Sequence, residues 1–188
     1  MTRFRKSMVK FMAPVLKIVL SFFFEPKFLA GRYFDDKSIG YVWAFRTIWQ
    51  RSILRLAPPL PFPAALTCRI SRGENIEFHQ DDLNNFQSPG TYFQNLYGKI
   101  RIGRGSYIAA NVGIITANHK LGEPDEHEDA EDVYLGEQCW IGMNSVILPG
   151  VVLGDRTVVA AGAVVTKSFE EGACVIGGVP AQIIKRFQ

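Results

Sequence analysis

The side chains best suited to proton transfer in this sequence are its three histidines, His79, His119 and His127. Two of them fall in the stretch "IITANHKLGEPDEHEDAEDVYLG" (114–136). Seven carboxylates accompany them: Glu123, Asp125, Glu126, Glu128, Asp129, Glu131 and Asp132. Imidazole has an ordinary pKa of about 6.5, so it takes and returns a proton near neutral pH. A metal centre is not expected. Zinc needs about three protein ligands, and the histidines are few, unevenly spaced and without an HxxxxH pair. Paired-carboxylate hydrolysis is not expected either, because nothing in so polar a run fixes two carboxylates on a rigid element. Such a run is a solvated face. Cys68, Cys139 and Cys174 are odd in number and form no CxxC pair. They read as buried thiols of a reducing compartment.

What could hold an imidazole in place is the regular sequence on either side. An aliphatic residue recurs every six positions, as Leu96, Ile102, Ile108 and Ile114, then as Leu135, Ile141, Ile147, Leu153, Val159 and Val165. Ile70 and Ile76 begin the series. Small or turn-compatible residues often follow: Gly103, Ala109, Gly136, Gly142, Gly154 and Ala160. This period fits neither an amphipathic helix nor an alternating strand. It fits a parallel β-helix, in which each six-residue unit makes one flat side and about eighteen residues close a triangular coil. About five coils are expected over residues 66–180. From Ile114 to Leu135 is 21 residues, which is no multiple of six. The coil must therefore open near 118–132 into a protruding loop, a common place for function on a rigid scaffold. His119 stands at the base of that loop. His127 lies deep in it and reads as solvated. His79 belongs to an early coil and reads as structural.

The front differs. Residues 1–55 carry 11 Lys+Arg against 3 Asp+Glu, and the remainder carries 10 against 15. "MTRFRKSMVKFMAPVLKIVLSFFFEPKF" is basic, then apolar to Phe24. It lacks a small-residue cleavage site directly after the apolar run. The run is also shorter than the roughly 20 residues of a spanning helix, and Pro14 and Lys17 interrupt it. Residues 1–25 are expected either to lie on a membrane surface or to pack as an amphipathic helix. A second helix is expected near 39–56, with Val42, Phe45, Ile48, Trp49, Ile53 and Leu56 as its apolar stripe and Arg46, Arg51 and Arg55 opposite. Pro58, Pro59, Pro61 and Pro63 end it as a stiff connector. The expected organisation is a helical region over 1–65, the β-helix over 66–180 and a tail over 181–188.

"WIG", "ILPGV", "VVAAGAVVTK" and "GGVPAQIIKR", all within 135–187, resemble the hexapeptide-repeat acyltransferases of the left-handed β-helix fold. The resemblance is closest to their sugar and xenobiotic O-acetyltransferases, and it does not reach the first sixty residues. It implies a mainly β, left-handed coil, a homotrimer, and acetyl-CoA lying between neighbouring prisms. It implies a loop histidine as general base, here His119, although Lys120 follows where relatives often carry proline. By the same resemblance, Trp140 walls the cofactor site, and Gly142 and Ala160 offer backbone to the pantetheine arm. Thr166 and Lys167 stand nearer the adenosine, and Lys185 or Arg186 meets a phosphate. Asn84 and Asn85 are the acceptor-side candidates. The implied activity is acetyl transfer to a sugar hydroxyl in bacterial cell-surface polysaccharide or glycolipid assembly, with a cytoplasmic location at the inner face of the membrane. An amino-sugar or antibiotic acceptor is the alternative within the class, and a non-catalytic β-helix scaffold is the alternative outside it. No nucleic-acid partner is expected.

Overall fold

The computed structural model describes residues 3–187, with side chains from residue 12 onward. The chain divides into two compact units, Met1–Leu66 and Thr67–Gln188. The side chains of Arg3, Arg5, Lys6 and Lys10, on which the membrane reading of the N-terminus leans, lie outside the described residues.

In the first unit, α1 (Arg3–Leu20) carries Pro14 in its interior. A second helix, α2 (Ile39–Thr47), runs on through a wider π-type turn at Ile48–Ile53. The core is aromatic. Phe28 meets Phe62 edge-on with centroids 5.3 Å apart, and Phe34 meets Tyr41 at 5.0 Å. No helix among the described residues is long and apolar enough to cross a membrane.

Apart from Ile48, the second helix does not bury the apolar stripe named from the sequence, and Arg51 lies on its inner side. The buried side is Gly40, Tyr41, Ala44, Thr47, Ile48 and Arg51, whereas Val42, Phe45, Trp49, Ile53 and Leu56 are exposed. The buried side is built for close approach: a Cβ on Gly40 would stand 2.7 Å from the Phe34 ring. Arg51 is only 2 % exposed and donates from Nη1 to the Pro58 carbonyl at 3.1 Å and from Nη2 to the Ala65 carbonyl at 3.0 Å. The proline-rich segment is correspondingly not a free connector. Leu60, Phe62, Ala64 and Ala65 are buried, and the Glu25 N–H donates to the Pro61 carbonyl.

The second unit is the coil. Its lower strands are β1 (Arg69–Ile70), β2 (Ile76–Phe78), β3 (Tyr92–Gln94), β4 (Ile100–Ile102), β5 (Tyr107–Ile108) and β6 (Gly113–Ile115). A side ribbon follows, β7 (His119–Lys120) and β8 (Glu123–His127). The upper strands are β9 (Val133–Leu135), β10 (Trp140–Ile141), β11 (Val146–Ile147), β12 (Val152–Leu153), β13 (Val158–Val159), β14 (Val164–Val165), β15 (Cys174–Gly177) and β16 (Gln182–Arg186). They form three faces, ordered β1-β3-β6-β11-β14, β2-β4-β9-β12 and β5-β10-β13-β15, parallel throughout. Residues expected as a tail instead form β16, antiparallel on β15.

The periodic aliphatics stack inward. Phe93, Ile114, Ile147 and Val165 form one buried column, and Ile108, Ile141, Val159 and Ile176 another. The beat assigned to Leu96 is wrong: Leu96 is 40 % exposed, and Phe93 fills that place in the stack.

One corner sets a hard steric limit. Gly103, Gly136 and Gly154 follow β4, β9 and β12 and lie one above another. A Cβ on Gly154 would fall 2.1 Å from the Glu170 carbonyl oxygen, and one on Gly136 would fall 2.6 Å from the Asp155 nitrogen. Backbone, not a flexible side chain, is what it would strike. Gly154→Ala is therefore expected to cost about 1–3 kcal/mol. The measurement is a urea melt, with a lowered midpoint and unchanged slope; an unmoved midpoint would mean that the corner relaxes.

Candidate active site

The protruding segment is ordered as a β-ribbon rather than an irregular loop. β7 and β8 pair antiparallel, with His119 opposite His127 and Lys120 opposite Glu123. Its ends are pinned to the coil: the Glu128 N–H donates to the Asn118 carbonyl, the Glu131 N–H to the Thr116 carbonyl, and the Lys99 N–H to the Asp132 carboxylate at 2.8 Å. The acidic side chains other than Asp132 are exposed, and Glu126 pairs with Lys120 at 2.6 Å within the ribbon.

His119 leaves the coil just past the end of β6, where Gln94 clamps the exit. The Gln94 side-chain oxygen accepts from the backbone N–H of Thr116 at 3.1 Å and of Ala117 at 3.3 Å, and the Thr116 hydroxyl donates to the Gln94 carbonyl at 2.9 Å. The imidazole itself is exposed. Its Nδ1 lies 2.5 Å from the Pro124 carbonyl oxygen. A carbonyl only accepts, so Nδ1 carries the hydrogen and Nε2 keeps its lone pair. The His127 ring packs against His119, centroids 4.3 Å apart and planes 38° from parallel. Gln94, Pro124 and His127 all act on His119, and the sequence marked none of them as doing so. Gln94 interrupts no period, Pro124 contributes a carbonyl rather than a side chain, and His127 is brought back only by strand pairing.

The other residues expected from sequence fall in three places. Trp140 points outward from β10, more than half exposed, between Tyr107 and Val158 of the neighbouring strands. Gly142 and Ala160 follow β10 and β13 at one corner of the prism. Their N–H groups already donate to the Val159 and Ile176 carbonyls, and the Gly142 carbonyl accepts from Ser145. A Cβ on Gly142 would also meet the Val159 oxygen at 2.6 Å, so this glycine has a steric reason of its own. Thr166 and Lys167 follow β14 at the next corner, two coils above the one where the ribbon departs. Lys167 and Arg186 line one open cavity of about 540 Å³ with Phe169, Glu171 and Ile183. There Arg186 pairs with Glu171 at 2.6 Å, and Lys167 reaches Gln182 at 3.3 Å. Lys185 lies on β16, opposite Val175.

Asn85 needs correction. It is fully buried, its amide nitrogen donates to the Ser106 carbonyl at 2.9 Å, and its amide oxygen accepts from the Ile108 N–H at 2.9 Å. It ties adjacent coils together and has no amide group to offer an acceptor. Asn84 is part-buried and donates to Asn85 at 3.4 Å. His79 accepts from the Asp81 N–H, a local cap of the turn that follows. All three cysteines are buried thiols outside any disulfide. Burial pushes the Cys139 thiol up, which keeps it protonated and unfit as a nucleophile. Among the described residues no group of His, Cys, Asp and Glu is arranged to hold a metal ion.

Comparison with known proteins agrees with this architecture. Residues 132–167 match the family described as bacterial transferase hexapeptide (six repeats). The chain is 36% identical over 100 residues to WbbJ of Escherichia coli K12, a protein named for O-acetyl transfer in lipopolysaccharide biosynthesis; the match covers 47% of this chain and 50% of WbbJ. A maltose O-acetyltransferase structure from Clostridium difficile 630 superposes with a TM-score of 0.55 at 31% identity, covering 65% of each chain. The hexapeptide-repeat acetyltransferase VCA0836 of Vibrio cholerae shares the fold over 97% of this chain and 92% of its own, with a TM-score of 0.59 at 20% identity. The chain spans between 46% and 66% of the length of the curated relatives it matches. Its coil has the fold of these structures, the left-handed parallel β-helix, and the family match places the hexapeptide repeat at residues 132–167 within it.

Proposed function

We propose that this chain is an acetyl-CoA-dependent O-acetyltransferase that acts on a sugar hydroxyl of a cell-surface polysaccharide or glycolipid precursor, with His119 as general base. The observation that carries the reading is the 2.5 Å approach of His119 Nδ1 to the Pro124 carbonyl, which leaves Nε2 as the ring nitrogen free to accept a proton. In the transfer, Nε2 takes the proton of the acceptor hydroxyl. The oxygen attacks the thioester carbonyl, the carbon–sulfur bond breaks, and the proton is returned to the departing thiolate. No covalent enzyme intermediate is needed. The His127 ring limits rotation of the base, and the ordered ribbon holds both rings to the coil.

Acetyl-CoA is the donor in this reading. Lys167 and Arg186 supply cations at one cavity, and the Arg186–Glu171 pair is solvent-exposed and weakly held, so a phosphate can displace the carboxylate. The corner bearing Gly142 and Ala160 and the corner bearing His119 are different edges of one prism. A homotrimer that sets one chain's edge beside its neighbour's ribbon brings them into a shared groove. Buried thiols outside any disulfide suit a cytoplasmic location, and residues 1–25 suit attachment at the inner face of the membrane.

Labelled acetyl-CoA offered with crude surface glycans is the direct test. Label is expected in the glycan fraction; thioester that stays intact with every glycan pool would defeat the reading. The clamp on the base is testable separately. Gln94→Leu keeps the bulk and the backbone carbonyl that also serves Thr116, but removes the side-chain acceptor for the Thr116 and Ala117 N–H groups, and it is expected to lower kcat about tenfold. KM for acetyl-CoA should stay near the parent value. A change in KM alone would place Gln94 in donor binding instead.

A further inference from the structure

Apart from Ile48, the second helix of the first unit does not bury its apolar stripe. Its inner side holds Gly40, Ala44, Thr47 and Arg51, while its outer side presents Val42, Phe45, Trp49 and Ile53, continued by Leu56. These positions recur at helical spacing, so they form one continuous stripe rather than scattered exposed residues. Single exposed apolar side chains need no explanation, whereas a contiguous row of large ones marks a surface that meets something. We propose that this outer face is a docking surface for an anionic lipid bilayer, on which the helix lies in the plane of the headgroups.

Charge selects the occupant. Within the first unit, residues 37–66 contain Lys37, Arg46, Arg51 and Arg55 and no Asp or Glu, and of these only Arg51 is buried. Arg46 and Arg55 are exposed beside the stripe. A lipid surface of negative potential attracts such a segment, while its acyl region receives Val42, Phe45 and Ile53. Trp49 is the residue type that favours the boundary between the two. A second copy of the helix is a poor match, because stacking two such faces would set arginines against arginines. The first unit supplies three carboxylates in all. Two of these, Glu25 and Asp35, are engaged with Lys27 and Lys17 at 2.7 and 2.6 Å. The helix is too short to span the membrane, so it lies on the surface. This docking face is distinct from residues 1–25, and it does not depend on the chemistry assigned to His119.

The test is flotation of the full chain with vesicles of phosphatidylcholine alone and of phosphatidylcholine with phosphatidylglycerol. The parent protein is expected to float with the anionic vesicles, less so as salt is raised, and its tryptophan emission is expected to shift to the blue. The double variant Phe45→Ser, Trp49→Ser leaves α1 intact and is expected to lose at least about tenfold in partitioning. Arg46→Glu with Arg55→Glu should weaken binding to anionic vesicles alone. Acetyl transfer to a soluble acceptor should be unchanged in both variants, which separates this inference from the proposed activity. A parent that does not float, or an apolar variant that floats as well as the parent, overturns it. So does a variant whose only change is a smaller oligomer in sedimentation, which would make the stripe a contact between copies.

Discussion

His119→Ala is expected to reduce acetyl transfer by about 10²–10⁴-fold while leaving the assembly and acetyl-CoA binding unchanged. The size follows from what the side chain does in the proposed reaction. It removes one proton from a hydroxyl too weakly acidic to ionise alone and returns it to the leaving thiolate. The Pro124 carbonyl already fixes which nitrogen is free, so the parent spends nothing on choosing a tautomer. The substitution changes no buried contact, since the imidazole stands in solvent with only the ribbon around it. The measurement is initial rate with donor saturating, on a variant whose assembly matches the parent's. Undiminished turnover by a correctly assembled variant would remove His119 from the mechanism.

The second large effect belongs to stability. Arg51→Ala should cost about 2–3 kcal/mol, because it deletes a charged hydrogen bond to the buried Ala65 carbonyl and a part-buried one to the Pro58 carbonyl. The buried Ala65 carbonyl would be left without this donor, whereas the Pro58 carbonyl, in an exposed residue, can turn to solvent. Arg51→Lys restores the charge but not the fork that reaches two carbonyls at once, so only part of the loss should return. Denaturant unfolding followed by the signal of Trp43 and Trp49 reads the effect. A loss below about 1 kcal/mol would show that those carbonyls find other partners.

Arg51 also marks where the sequence misleads. Helical spacing correctly indicates a helix near 39–56, but it says nothing about which of two faces goes inside. The stripe through Val42, Phe45, Trp49 and Ile53 is the more apolar, so it reads as the core. The real inner face won by closeness, with Gly40 against the Phe34 ring and Arg51 answering carbonyls that a proline-rich turn leaves open. The coil was far more legible. Ile114, Leu135, Ile141 and Ile147 repeat because each stacks on its equivalent in the coils next to it, and the repeat is a direct image of that contact. Its one slip, Leu96 for Phe93, comes from the lower coils. There the spacing between stacked residues is uneven and an aromatic takes the inward place. Asn85 illustrates a different limit: composition shows an amide, but only the fold shows that both its ends are consumed. The base of the site was legible through His119 at the break in the rhythm. Its supports were not, because strand pairing and a carbonyl leave no signature in residue type.

The break itself has a simple arithmetic. Ile147 pairs with Val165, 18 residues on, while Ile114 pairs with Ile147, 33 residues on. The difference is 15 residues, and the stack above continues in phase as if they were not there. The insertion therefore behaves as an exchangeable cassette. Its two ends are fixed by Thr116–Glu131 and Asn118–Glu128 hydrogen bonds, so the phase of the coil does not depend on how much chain lies between them. Changes in the ribbon away from His119, Pro124 and His127 are therefore separable from changes in the coil.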